Sequence, residues 1–287
     1  MEFTHFLITR FNLRNFPKSS NNTDFDTWAS WTRERIDLFK KYCLPSILNQ
    51  TEKNFTWLIF FDSDTPEEFE DFVHDLEKYS FIQICYSEGS KGFYDNYINE
   101  IESRVKGNSP WLITSQLDND DVLHKQAIEV IQKNFIGKSK YMISLASGYV
   151  LDVNRNVLAH YFYPMGPFIS IVEAVGSDIV GIFENPHTQW PQLKLKVFTE
   201  FYLKFFNEEK RQTRFILDKP LWIQIVHGKN VSNSFYRGLP VTKPNNLSEF
   251  SLNTLPDKIS LLELPKFWNY VYWKRYFKSW IVKLVAD

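Results

Sequence analysis

The chain has 287 residues, 44% of them hydrophobic and 17% aromatic, and a formal net charge of −1. That much apolar material supports one large domain or one domain with an appendage, and the near-zero charge supplies no global field that would favour nucleic acid. No charged-then-apolar leader opens the chain, no apolar run approaches the roughly 18 residues of a membrane span, and Cys43 and Cys85 lie in apolar contexts without metal-ligand spacing; two buried thiols in a reducing cytoplasmic compartment are expected.

Phe3–Arg10 alternates weakly and reads as a first strand. Phe11–Thr27, rich in Asn and Ser, reads as a loop that either holds a ligand or is a plain surface excursion. Trp28, Trp31, Arg35, Leu38, Phe39 and Tyr42 have helical spacing, and Pro45 resets the helix for a further turn or two. Phe55–Phe61 is a dense apolar strand closed by Asp62, Ser63 and Asp64. Thr65-Pro66-Glu67-Glu68 has the form of a capping box with Pro at the first helical position, which would give those acids structural work. Phe81–Tyr86 reads as a strand, Ser87–Lys91 as a turn and Gly92–Val105 as a helix.

Trp111–Leu117 is the next strand, and Val122–Phe135 is expected to be the helix after it. Between them the apolar run ends in Asp118, Asp120 and Asp121. In open α/β sheets the C-terminal ends of strands are where ligands bind. Three like charges so close repel unless something positive sits among them, and a hard divalent cation with oxygen ligands is one neutraliser. Helix capping is the other reading; it accounts for Asp121 but not easily for Asp118 and Asp120. An EF-hand is excluded, because Val122 and Leu123 occupy the fifth and sixth loop positions, where an oxygen ligand and a Gly are required.

Four strand–helix alternations in the first 135 residues indicate a mostly parallel sheet covered on both faces. Neither a Gly-x-Gly-x-x-Gly after the first strand nor a Walker A sequence is present. After Gly137 the texture changes. Tyr141–Leu145, Tyr149–Val153 and Val157–Tyr163 read as strands, and Phe168–Ala174 and Asp178–Phe183 look extended. Leu193–Asn207 is ambiguous between helix and strand, Pro220–His227 is a short apolar segment, and Gly238–Pro256 is polar and turn-rich. Lys266–Val285 reads as a final amphipathic helix with Trp273, Tyr276, Phe277, Trp280, Ile281 and Leu284 on one stripe. We read one domain over residues 1–264, with halves 1–136 and 137–264, followed by the helix 265–287.

Gln116-Leu117-Asp118-Asn119-Asp120-Asp121-Val122-Leu123, in this strand context, resembles the Asp-x-Asp segment of GT-A-fold glycosyltransferases of the family-2-like group. Leu44–Thr51, Phe55–Asp62 and Gly92–Asn99 resemble further pieces of that fold. Thr9-Arg10-Phe11-Asn12 and Trp222–Asn230 look closest to bacterial rhamnosyltransferases. The resemblance covers most of residues 1–240. It implies an α/β, GT-A-like mostly parallel sheet flanked by helices, with a nucleotide-sugar-binding first half and a more irregular β-containing acceptor half.

The resemblance also implies roles. Asp118 and Asp120 would hold Mn2+ or Mg2+, with His227 as a third ligand; the alternative for His227 is a hydrogen-bonded loop histidine. Thr9, Arg10, Asn12, Asp62, Asp118, Asn119, Lys229 and Asn230 would surround the nucleotide donor. An inverting transfer needs a base, for which Glu173, then Asp178 and Glu184, are the candidates. The expected activity is transfer of a sugar, rhamnose by resemblance, from a nucleotide-sugar donor to a glycan or lipid-linked acceptor. Two other readings are a glycan-binding scaffold on the same fold and a nucleotidyltransferase. The C-terminal residues carry Lys266, Lys274, Arg275, Lys278 and Lys283 among Trp268, Trp273 and Trp280. They either dock on the protein's own core or touch the inner face of an anionic membrane peripherally.

Overall fold

The computed structural model describes residues 2–14, 24–105, 107, 109–163, 166–176, 178–183, 212–227 and, in part, 235–280. The ambiguous segment Leu193–Asn207, the positions Lys229 and Asn230, and most of Lys266–Val285 lie outside the described residues.

Two sheets organise what is described. The larger has seven strands in the order β10-β6-β9-β4-β1-β2-β3. Its strands are β1 (Phe3–Arg10), β2 (Thr56–Asp62), β3 (Ile82–Ser87), β4 (Trp111–Gln116), β6 (Tyr141–Leu145), β9 (Ile169–Ala174) and β10 (Thr213–Ile216). All neighbours pair in parallel except β9, which runs antiparallel to both β4 and β6. The smaller sheet has the order β12-β8-β7-β11-β5, built from β5 (Val122–Leu123), β7 (Ser147–Asp152), β8 (Val157–Phe162), β11 (Trp222–Val226) and β12 (Leu239–Pro240). The mostly parallel α/β architecture expected from the alternating pattern is therefore present.

The central strands are apolar at nearly every position because both faces are covered. Leu7, Trp57, Ile59, Phe61 and Ile113 enter one core with Ile36, Phe39, Ile47 and Phe72 from the helices. Phe6, Ile8, Leu58, Phe60 and Leu112 enter the other with Phe93, Tyr97 and Ile101. These helices are α1 (Phe25–Leu38), α2 (Leu44–Leu48), α3 (Glu70–Glu77) and α4 (Gly89–Glu102). A π-helical turn over Phe39–Cys43 joins α1 to α2.

Several elements depart from the local reading. The first helix starts one turn early, because the Asp24 carboxylate accepts the Thr27 N–H at 3.0 Å and caps it. The capping box at Thr65 is not formed. Pro66 itself precedes a 3-10 turn over Glu67–Phe69, with no side-chain cap, and Thr65 Oγ1 donates to the Asp62 carbonyl. Val122 does not begin a helix: Val122–Leu123 is a strand paired with Trp222 and Ile223, and helix α5 covers only Ala127–Lys133. Residues 178–183 form no strand, and Thr213–Ile216, not anticipated, adds an edge strand beside β6.

Trp222 ties the two sheets together. It is fully buried, stacks on Phe168 at 4.4 Å between ring centroids, and donates from Nε1 to the Leu145 carbonyl at 2.6 Å. Gly148 leaves the space this ring fills, and a Cβ there would lie inside the ring's van der Waals envelope. Gly148→Ala is expected to destabilise the chain by about 1–3 kcal/mol through overpacking. A lower urea midpoint at unchanged slope would register this; an unchanged midpoint would show that Trp222 has room to move.

Candidate active site

The acidic segment is the crossing between the two sheets. β4 ends at Gln116; Leu117 N–H donates to the Ile8 carbonyl at 3.0 Å, and the Leu117 carbonyl accepts from Thr9 Oγ1 at 2.8 Å. Asp121 N–H closes a turn on the Asp118 carbonyl at 3.2 Å, and the chain then enters β5. β5 pairs antiparallel with β11 through Val122↔Ile223. That register carries the residues before Val122 toward those after Ile223, so Asp120 and Asp121 meet Ile225 and His227. The helix begins only at Ala127, so helix capping does not explain the acids.

Asp120 is the hub. Its Oδ2 accepts from Arg35 Nη1 and lies 3.3 Å from His227 Nε2. Arg35 and Asp120 side chains are only 10% and 12% exposed, so they lie just under the surface of the sheet's C-terminal edge. Burial by itself would push the Asp120 carboxyl up; the hydrogen bond with His227 and the Arg35 guanidinium outweigh it and hold the group below the usual carboxylate range. Arg35 lies on the buried stripe of α1 with Trp28, Thr32 and Ile36, and its guanidinium sits 5.0 Å from the Trp31 ring centroid.

Asp121 solves the same problem differently. It is 2% exposed, and its Oδ1 accepts the Ile225 N–H at 3.3 Å. Burial, then the Asp120 and Asp118 charges, push its carboxyl well above the ordinary value. Asp118 is half-buried, with Gln116 Nε2 donating to it at 3.3 Å. Cys43, donating to the Asp118 carbonyl at 3.8 Å, is fully buried, and burial with the three nearby acids drives its thiol well up. Cys43 and Cys85 are both free and buried, as expected.

Other expected donor-site residues are engaged in holding the edge itself. Asn12 Oδ1 accepts from Asp62 N–H at 3.0 Å, and Asn12 Nδ2 donates to Thr65 Oγ1 at 3.1 Å. The Asp62 carboxylate accepts the backbone N–H groups of Arg14 and Asp64, at 2.9 and 3.1 Å. Trp57 Nε1 donates to Thr9 Oγ1, and Asn119 Nδ2 donates to the Phe11 carbonyl. Thr9 and Asn12 are fully buried, so they tie β1 to β2 and β4 rather than face a ligand. Arg10 reaches Tyr94 Oη at 2.9 Å and lies 4.5 Å from the Phe183 ring centroid.

Glu173 is not brought to the cluster. It sits on β9 opposite Leu112, six residues before Asp118 along β4, which is about 20 Å of strand. Its carboxylate is buried and accepts the N–H groups of Val180 and Gly181, at 3.0 and 2.9 Å. The reason is direction: β9 runs antiparallel to β4, so the end of its apolar run lies toward the opposite edge. Asp178 is exposed in the segment after β9. Arg35 is the residue that the sequence reading left without a role. Its signal was an arginine on an otherwise apolar helical stripe.

The expected metal set of Asp118, Asp120 and His227 fits a divalent cation poorly. Among the described residues no three or more His, Cys, Asp and Glu side chains converge as ligands. Asp120 Oδ2 is already held by Arg35 and His227. A cation beside Asp120 would also face the guanidinium at close range, a repulsion of roughly 1–4 kcal/mol per unit charge pair at 4 Å.

The charged cluster lies at the C-terminal edge of an open α/β sheet, where such sheets place their ligands. The chain matches the family model described as "Putative rhamnosyl transferase" over residues 6–200, more than half its length, and belongs to that family. No curated protein matches it. Among solved structures it is similar to S. aureus TarS 1-349 in complex with UDP, at 13% identity and a TM-score of 0.41, covering 79% of this chain and 61% of that one. It is also similar to the glycosyltransferase GlyE of Streptococcus pneumoniae TIGR4, at 11% identity and a TM-score of 0.35, covering 98% and 64%. The inositol-1-phosphate CTP transferase of T. maritima matches at 13% identity and a TM-score of 0.34, covering 80% and 92%. The chain thus spans less than two thirds of the TarS and GlyE structures it matches.

The raised Asp121 carboxyl has a consequence for stability. A group whose folded pKa exceeds its unfolded value stabilises the fold below the unfolded pKa, and that stability is lost as pH rises through the folded pKa. Asp121→Asn keeps a carbonyl acceptor for Ile225 and has no charge to bury. Its melting temperature is expected to exceed that of the wild type by more at pH 8 than at pH 5. Equal differences at both pH values would show that Asp121 is not the group being titrated.

Proposed function

We propose that this chain is a glycosyltransferase that moves a sugar, rhamnose in the first instance, from a nucleotide-sugar donor to a glycan or lipid-linked acceptor. Membership of the rhamnosyl transferase family supports the class. The observation that carries the placement is the meeting of Arg35, Asp120 and His227, from three distant parts of the chain, at the C-terminal edge of the parallel strands. Breaking a glycosyl–phosphate bond releases a nucleoside diphosphate, and positioned donors are needed where that charge develops. Arg35 is such a donor, and His227 stands beside it on the same Asp120 oxygen. Asp120 orients both, and the Asn12–Asp62 lock keeps the neighbouring edge fixed.

The test is release of nucleoside diphosphate from a panel of nucleotide sugars, a nucleotide-rhamnose included, with and without glycan acceptors. Asp120→Asn keeps the side chain's size and removes the charge that orients Arg35 and His227. It is expected to lower turnover by roughly 10–100-fold, the scale of a small misplacement of catalytic groups. Absence of turnover with every donor by correctly folded wild-type chain would sink the reading.

A lipid-linked acceptor adds a second expectation. Trp273, Phe277 and Trp280 are exposed, at 47%, 62% and 62%, and their spacing puts them on one helical face. Trp268, Lys274, Arg275, Lys278 and Lys283 lie outside the described residues, while Lys266 is exposed. Among the described residues no helix is long and apolar enough to cross a membrane. We propose that these aromatics enter the headgroup region of an anionic bilayer, each nearby lysine adding about 1 kcal/mol. Co-sedimentation with anionic liposomes should weaken with salt and need residues beyond Leu264. A full chain that stays in the supernatant at low salt would rule out the contact.

A further inference from the structure

The poor fit of a metal beside Asp120 has a counterpart in what already occupies that place. We infer that Arg35 does the work expected of the divalent cation: its guanidinium, fixed by Asp120, receives the diphosphate of the nucleotide donor, and binding needs no metal. This rests on the glycosyltransferase reading and names the group that holds the donor.

Arg35 is a positive charge built into the floor of the edge. It comes from the buried stripe of α1, its guanidinium carbon lies 5.0 Å from the Trp31 ring centroid, and its Nη1 donates to Asp120 Oδ2. A guanidinium has five N–H donors in a rigid fork that matches carboxylate and phosphate oxygens in pairs. Only the Nη1 contact is engaged among the described residues, so an edge of the fork is available for diphosphate oxygens. His227 Nε2 stands on the same Asp120 oxygen at 3.3 Å, so the imidazole lies beside the guanidinium.

Trp31 and the α1 packing hold the arginine in place before the ligand arrives, so little freedom is lost on binding.

The experiment is calorimetric titration of the full chain with UDP, dTDP, GDP, ADP and CDP, in EDTA and again in Mn2+. At least one nucleotide is expected to bind in EDTA, with a dissociation constant that Mn2+ changes by less than about threefold. Arg35→Lys keeps the charge but not the fork and should weaken that binding by about tenfold or more. The double change Arg35→Gln with Asp120→Asn leaves no buried charge alone, and should lose the binding while melting normally. A nucleotide that binds with Mn2+ and is released by EDTA would overturn the proposal and leave the glycosyltransferase reading standing. Variants that bind in EDTA as the wild type does would also overturn it. Failure of all five nucleotides under both conditions would remove the reading and the proposal together.

Discussion

A carboxylate that is almost out of water must be compensated, and Asp120 is the one on which the rest of the site depends. Its partners arrive from residue 35 and residue 227, so the charge can be accommodated only when α1 is docked and β11 is in register with β5. Removing one partner of such a pair leaves a stranded charge and typically costs 3–5 kcal/mol, more than the pair is worth over an apolar substitute. The contact is therefore a weak source of stability but a strong selector of arrangement. A one-residue slip of β11 would move His227 to the other face and leave Asp120 with Arg35 alone.

Two adjacent carboxyls are shifted in opposite directions for reasons visible in their surroundings. Asp120 faces a guanidinium and an imidazole, which favour its charged form; Asp121 faces a backbone N–H and two other acids, and burial wins. Titratable groups driven apart in this way are a feature of acid–base sites. Here the split also weakens the local field: Asp120 is paired with a guanidinium and Asp121 is shifted toward its neutral form, so the cluster is less negative than its sequence suggests.

The larger sheet was legible because its strands are short, apolar and separated by helices with clear spacing. β1 and β6 run over the same residues as their sequence patterns. What local pattern cannot carry is direction and long-range pairing. Val122 and Leu123 looked like the start of a helix because apolar residues follow the acids, yet their partners are a hundred residues away. Glu173 ends an apolar run just as Asp118 does, but β9 is reversed, so the two ends lie toward opposite edges. Arg35 was visible as one member of a helical stripe, and only the fold shows that the stripe faces a carboxylate.

The same reasoning separates residues that hold the edge from those that can meet a ligand. Thr9, Asn12, Asp62 and Asn119 are consumed by hydrogen bonds to one another, to Trp57 and to the backbone. Burying them unpaired would be costly, so their polarity is explained without a ligand. Their effect is to make the edge stiff. His227 gains the same stiffness from below: β11 is clamped between β5 and β7, and its first residue, Trp222, is wedged against Phe168 and the backbone of β6. A site carried on strands and a buried helix holds its donors to tighter tolerances than one carried on loops. A guanidinium can take a cation's place under that condition, because its directional fork rewards a fixed position in a way that a spherical ion does not require.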